Sequence, residues 1–196
     1  MAEALLPIAA AQRRQALDEP PRKRQGVSIQ ILPPEARFCL RLPVRAAAAA
    51  TEIVGFRLLM PINRYDEQKN RWSARLGPNE WLIGGPEAET EAIDAEVAAA
   101  FEGHIHGLTD VSHRNIAIEV AGAEAAAVLN AGCPLDLSGR AFPAGSATRS
   151  LLGKAEIVLI RPASEPSFRV ECWRSFARYV HDFLCEAARD CPALPQ

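Results

Sequence analysis

The chain has 196 residues, with 22 Lys and Arg against 24 Asp and Glu, and its formal charge of -2 provides no basic face of the kind nucleic-acid binders present. At 48% hydrophobic and 23% charged it is a folding sequence, long enough to bury one core of good size. No run of about eighteen apolar residues occurs, so no membrane-spanning helix is expected.

Cys39, Cys133, Cys172, Cys185 and Cys191 are odd in number, widely spread and never form a Cys-x-x-Cys pair, which points to reduced thiols and a cytoplasmic location. Arg13 and Arg14 follow the apolar stretch from Leu5 to Ala11, the reverse of a signal peptide's order. Residues 1–26 mix Ala, Arg and Pro without an apolar period. They read as an arm that is flexible or ordered by a partner, with the basic cluster Arg22, Lys23 and Arg24 as candidate interface residues.

Residues 27–190 read as one domain and 191–196 as a tail. Val27 to Ile31 alternates as a strand, and Pro33 and Pro34 end it. Phe38, Leu40 and Leu42 alternate again, and the Ala-rich segment Arg45 to Thr51 is a short helix candidate. Phe56 to Met60 is a predicted strand, Asn63 to Arg71 a charged loop, and Glu80 to Ile83 a strand stopped by Gly84, Gly85 and Pro86. From Glu87 to Phe101 the apolar residues Ile93, Val97 and Phe101 recur at helical spacing, with acidic residues in the first turns and Gly103 at the end.

The segment from Thr109 to Asp136 organises the rest. Ile116, Ile118 and Val120 share one face of a strand and Asn115, Ala117 and Glu119 the other; Ala125, Val128 and Leu129 then fall at helical spacing. Gly122 breaks the strand, Gly132 suits a left-handed position after the helix, and Pro134 stops it. Two strands follow, Thr148 to Leu152 and Glu156 to Ile160, with Gly153 and Lys154 at the bend. Phe168, Val170 and Cys172 alternate inward, Ser175 is a candidate N-cap, and Phe176, Tyr179, Val180, Phe183, Leu184 and Ala187 form an apolar stripe on a last helix. Helices interrupting hairpin-like strand pairs imply an α+β domain with a mixed, largely antiparallel sheet and helices packed on it.

Composition and spacing supply little chemistry. No Gly-x-Gly-x-x-Gly or Gly-x-x-x-x-Gly-Lys-Ser/Thr loop is present to cradle a dinucleotide or phosphate. His104 and His106 lack the further ligands zinc needs, so no metal is expected. Ser112 beside His113, and His181 beside Asp182, have no nucleophile elbow, and sequence neighbours on a strand point to opposite faces. No catalytic residue is assigned. Trp173, out of phase with Phe168, Val170 and Cys172, and Trp72 are candidate interface anchors.

Asp110 to Arg114 followed by an apolar strand, a glycine and a short helix resembles the folate-binding half of the aminomethyltransferase (T-protein) superfamily. Within it the chain is more similar to the gamma-subunit family of heterotetrameric sarcosine oxidase. That resemblance is carried by Leu76-Gly-Pro-Asn-Glu-Trp-Leu82, by Gly132 to Leu137 with Phe142 and Pro143, and by Phe168 to Ser175, and runs from about residue 27 to about residue 188. It implies an aminomethyltransferase-like fold and a four-subunit oxidoreductase that demethylates sarcosine or a related N-methyl amino acid. FAD, FMN, NAD and tetrahydrofolate would sit in the partner alpha, beta and delta subunits, and this chain would be a non-catalytic member leaning chiefly on alpha. Asp110, His113 and Arg114 would then be vestigial folate-region residues, Arg114 being able to fork onto a carboxylate. The alternative is an independent folate-binding protein of the superfamily.

Overall fold

The computed structural model describes residues 15–49, 52–53, 55–163 and 166–192. Its strands are β1 (Arg22–Arg24), β2 (Val27–Ile31), β3 (Glu35–Arg41), β4 (Glu52–Ile53), β5 (Phe56–Arg57), β6 (Arg64–Gln68), β7 (Arg71–Gly77), β8 (Glu80–Pro86), β9 (Gly107–Asp110), β10 (Asn115–Ala121), β11 (Ser146–Leu152), β12 (Ala155–Arg161) and β13 (Ser167–Trp173). The helices are α1 (Val44–Ala49), α2 (Thr90–Ala100), α3 (Ala125–Asn130) and α4 (Ala177–Ala187). Eleven strands form one sheet in the order β1-β2-β10-β13-β12-β11-β6-β7-β8-β3-β9, and every pairing in it is antiparallel. The α+β expectation therefore holds.

Strand alternation sorts the side chains onto two faces. On one face, Val27, Ile29, Ile118, Val120, Ile157, Leu159, Phe168, Val170 and Cys172 pack against α3 and α4 through Val128, Leu129, Val180 and Leu184. At the other end Ala36, Phe38, Leu40, Trp81 and Ile83 pack against Ala46, Ala47, Ile93 and Val97 of α1 and α2. The opposite face of the curled sheet holds a smaller apolar cluster, including Tyr65, Trp72, Ala74, Leu82, Ala147 and Ile160. Beside that cluster stand Arg37, Arg169 and Glu171, all buried.

Several expectations are corrected. The charged stretch Asn63 to Arg71 is not a loop: Arg64–Gln68 pairs residue by residue with residues 71–75 of β7, as in Tyr65 with Ala74, across a turn at Lys69, which takes a positive φ of 60°. Phe56 to Met60 is strand only at Phe56–Arg57. Gly132 is not left-handed; its glycine is needed because a Cβ there would lie 2.5 Å from Phe183 Cζ. Ser175 does not cap α4, which is preceded by a 3-10 turn, Arg174–Phe176, with no side-chain cap. Of the expected apolar stripe, Phe176 and Tyr179 stand on the exposed flank.

The described part of the N-terminal arm is anchored. Leu17 is buried, Arg22–Arg24 pairs with Val27–Ile29, and Arg178 reaches Glu19 at 2.7 Å. The hairpin through Gln25 and Gly26 supplies main-chain pairing that no hydrophobic period announces. Residues 1–14 of the arm and 193–196 of the tail lie outside the described residues.

Candidate functional site

The segment from Asp110 to Arg114 runs from the end of β9, where Asp110 pairs with Phe38, to β10, and beyond that pair it is stitched to β3 at Arg37. Val111 donates its amide to the Arg37 carbonyl at 2.8 Å, and the Arg37 amide donates to Ser112 Oγ at 2.8 Å. Asp110 accepts the Ser112 amide at 2.7 Å, forming a local turn. Arg114 donates from Nε to Asn115 Oδ1 at 3.1 Å, and His113 is exposed. Among the described residues, no hydrogen bond or ion pair joins Asp110, His113 and Arg114 to one another, so the trio is a chain segment and not a polar cluster.

The cluster that does form was not singled out from the sequence. Arg37 Nε reaches both Glu171 oxygens, at 3.1 and 2.9 Å. Arg169 donates to Glu171 Oε1 from Nε at 2.9 Å and from Nη2 at 2.6 Å, and to Glu35 Oε1 from Nη1 at 3.1 Å, with a further contact between its Nη2 and Glu35 Oε2. Trp72 lies over this network: its Nε1 donates to Glu35 Oε2 at 3.2 Å, and the Arg169 guanidinium carbon sits 4.7 Å from its ring centroid. Two cations and two carboxylates thus balance inside the curl, as buried charge requires.

Trp72 is therefore withdrawn as an interface anchor. It is only 3% exposed, and Gly84 leaves room for it, since a Cβ at that glycine would come within 2.4 Å of the indole. Trp173 differs. It is 45% exposed at the end of β13, as its out-of-phase position suggested.

Trp173 and Arg114 line a cleft of about 270 Å³ together with Glu171, Cys39, Leu76, Leu82, Arg149, Ser150 and Leu151. Glu80, also in its lining, is held between Arg41 at 3.0 Å and Arg149. Burial, then the Glu80 charge, raises the Cys39 pKa, so this thiol stays protonated.

A second groove, about 560 Å³, runs between the hairpin residues Arg22, Lys23 and Arg24 and the helix residues Arg178, His181, Cys185 and Arg189. His181 is buried, its Nδ1 3.4 Å from Asp182 Oδ1 and its Nε2 3.7 Å from Cys185 Sγ. Burial pushes the Cys185 thiol up, which opposes thiolate chemistry there. Ser112 is buried while His113 is exposed, so these two do not face one another as a triad requires. His106 Nδ1 lies 3.0 Å from the His104 carbonyl oxygen, and among the described residues no group of three or more His, Cys, Asp or Glu is placed to hold a metal.

The sequence model described as the sarcosine oxidase, gamma subunit family matches residues 43–190. The chain belongs to that family. As a gamma-subunit family member it also matches, in fold, the structure of heterotetrameric sarcosine oxidase from Corynebacterium sp. U-96 in complex with pyrrole 2-carboxylate. That likeness has a TM-score of 0.78 at 23% identity and covers 89% of this chain and 90% of that one. The glycine cleavage system aminomethyltransferase T from Bartonella henselae matches with a TM-score of 0.63 at 14% identity, over 81% of this chain and 45% of that one. The gamma-family chain therefore spans less than half of the aminomethyltransferase whose fold it shares. No curated protein matches it. Among the described residues, no helix of this gamma-family chain is long and apolar enough to cross a membrane.

Proposed function

We propose that the chain is the gamma-type subunit of a heterotetrameric sarcosine oxidase-like complex, and that it serves as a structural, non-catalytic member. The complex would oxidatively demethylate sarcosine or a related N-methyl amino acid in the cytoplasm and pass the methyl carbon to tetrahydrofolate. FAD, FMN, NAD and tetrahydrofolate would be held by the alpha, beta and delta partners, chiefly with alpha against this chain.

The observation that carries this reading, beside the family match, is how the polar centre is used. Arg37, Glu171, Arg169 and Glu35 neutralise one another across the curl, so the buried charged groups of the domain are committed to holding strands together. Residues 27–190 would act as one folded unit. The hairpin ahead of Val27, with Arg22, Lys23 and Arg24 exposed, would contribute to the subunit interface, as would Trp173.

Co-expression with flavin-binding partner subunits tests this directly. The purified chain alone should be colourless and inactive toward sarcosine, and it should co-purify stoichiometrically with the partners. A flavin-loaded preparation of the chain by itself would overturn the assignment.

A further inference from the structure

The cleft between Trp173 and Arg114 joins exposed apolar surface to arginine side chains. Trp173 is 45% exposed, Phe176 37% and Leu151 46%, and the Trp173 and Phe176 ring centroids are 6.3 Å apart. A buried apolar residue needs no explanation, but aromatic surface gathered at the mouth of a concavity is the composition of an interface core. The support beneath it is rigid: Asn115 and Trp173 are paired across β10 and β13, and the Arg174 amide donates to the Arg114 carbonyl at 2.6 Å.

Charge at the mouth favours an anion. Glu171 is already matched by Arg37 and Arg169. Glu80 sits between two guanidiniums, Arg41 and Arg149, and so leaves an excess of positive charge. Arg114 has no carboxylate partner among the described residues. The lining itself holds Arg114 and Arg149 against Glu80, Glu156 and Glu171; with Glu171 neutralised from inside by Arg37 and Arg169, and Glu80 also met by Arg41 beside the lining, Glu156 offsets one cation and a single guanidinium charge remains in excess. At about 270 Å³ the cleft lies at the low end of the ~300–1,000 Å³ of ordinary small-molecule and cofactor sites, and it has room for one or two anchoring side chains.

We propose that this cleft is the docking site for a segment of the large partner subunit that presents an apolar side chain beside a carboxylate. The apolar group stacks on Trp173 and Leu151, and the carboxylate meets Arg114, with Arg149 at the far wall. This rests on the gamma-subunit reading and names the face through which that role is performed. A small buried anchor in a preformed pocket, with a desolvated arginine contact, is the arrangement in which few residues dominate an interface.

The test is equilibrium association of the purified chain with the large subunit of the sarcosine oxidase-like complex. Trp173→Ala and Arg114→Glu should each weaken association at least ten-fold without lowering the melting temperature, and Arg114→Lys should retain most of it. Hydrogen exchange on the unsubstituted chain provides a readout free of folding effects: amides around Arg114 and Leu151 should become protected on complex formation. Wild-type association with no change in either variant and no protection at the cleft would overturn the docking site while leaving the gamma-subunit role standing. Failure of the wild-type chain to associate would overturn both. Free tetrahydrofolate that quenches Trp173 and displaces the large subunit would make the cleft a small-molecule site and refute the peptide anchor.

Discussion

Arg37 on β3 donates from one nitrogen to both carboxylate oxygens of Glu171 on β13, although five strands separate β3 from β13 in the sheet order. The pair closes the curl of the sheet from inside. Because Glu171 is fully buried and also receives Arg169, Glu171→Gln takes from Arg37 its main counter-charge and leaves Arg169 with Glu35 alone, and should cost about 3–5 kcal/mol. Urea unfolding measures this. Arg37→Met alone should be comparably damaging, and the double variant Arg37→Met with Glu171→Met should lose clearly less than the two single losses added. Strict additivity would mean that the two residues do not act as a pair.

Glu35 makes the same network sensitive to acid. Burial works to raise its pKa, but the Arg169 charge and hydrogen bond, the Arg37 charge and the Trp72 hydrogen bond prevail and hold it below the ordinary carboxylate value. A carboxyl depressed in the folded state contributes its full stability above the unfolded value of about 4.3 and loses it as pH falls through the lower folded value. The urea midpoint should therefore fall with pH below about 4, and Glu35→Gln should flatten that fall. An unchanged pH slope in Glu35→Gln would assign acid lability to other carboxylates.

Cys172, beside Glu171 in sequence, faces the opposite side of the sheet in the core against α4. Burial and then the Glu171 charge push its thiol up to about 12. At pH 8 only roughly one molecule in ten thousand would carry the thiolate, the species that reacts with iodoacetamide. Mass spectrometry after brief labelling should find Cys172 unmodified in the folded chain and modified once urea is added. Equal labelling in both states would show that this end of the core opens freely.

Arg114 separates a folate site from a vestige. If a folate carboxylate were held there, Arg114→Ala would remove a charge-assisted contact of about 1.5–3 kcal/mol, or roughly ten- to a hundred-fold in dissociation constant. In the assembled complex the expected change in tetrahydrofolate affinity is less than about two-fold. Titration of wild-type and variant complexes checks this, and a ten-fold weakening with assembly intact would make the domain a folate site.

Period-2 alternation made one face of the sheet readable. Phe168, Val170 and Cys172 go into the core against α4, and Trp173 breaks phase and emerges at the surface. The inner face was hidden by the same rule, because Arg169 and Glu171 occupy positions that look solvated, and alternation cannot distinguish water from an ion network across the sheet. The charged β6 strand was concealed likewise, with Tyr65 its single buried residue. Trp72 could have been found from its context: Gly84 faces it across β7 and β8, and a glycine inside a strand often marks a bulky neighbour. The β1–β2 hairpin had one local sign, Gly26, whose φ of 80° favours glycine in the turn.

The order of the strands also governs how the chain comes into being. β2 is made early, yet Ile29 waits for Val120, and Phe38 on β3 waits for both Ile83 and Asp110. Folding dominated by such distant pairings is slow, and unpaired strands are exposed to wrong partners meanwhile. The network cannot close until β13 leaves the ribosome with Arg169 and Glu171. The Trp173 end of the cleft is made within the same few residues, so a nascent chain cannot present a finished docking face before its own interior can lock.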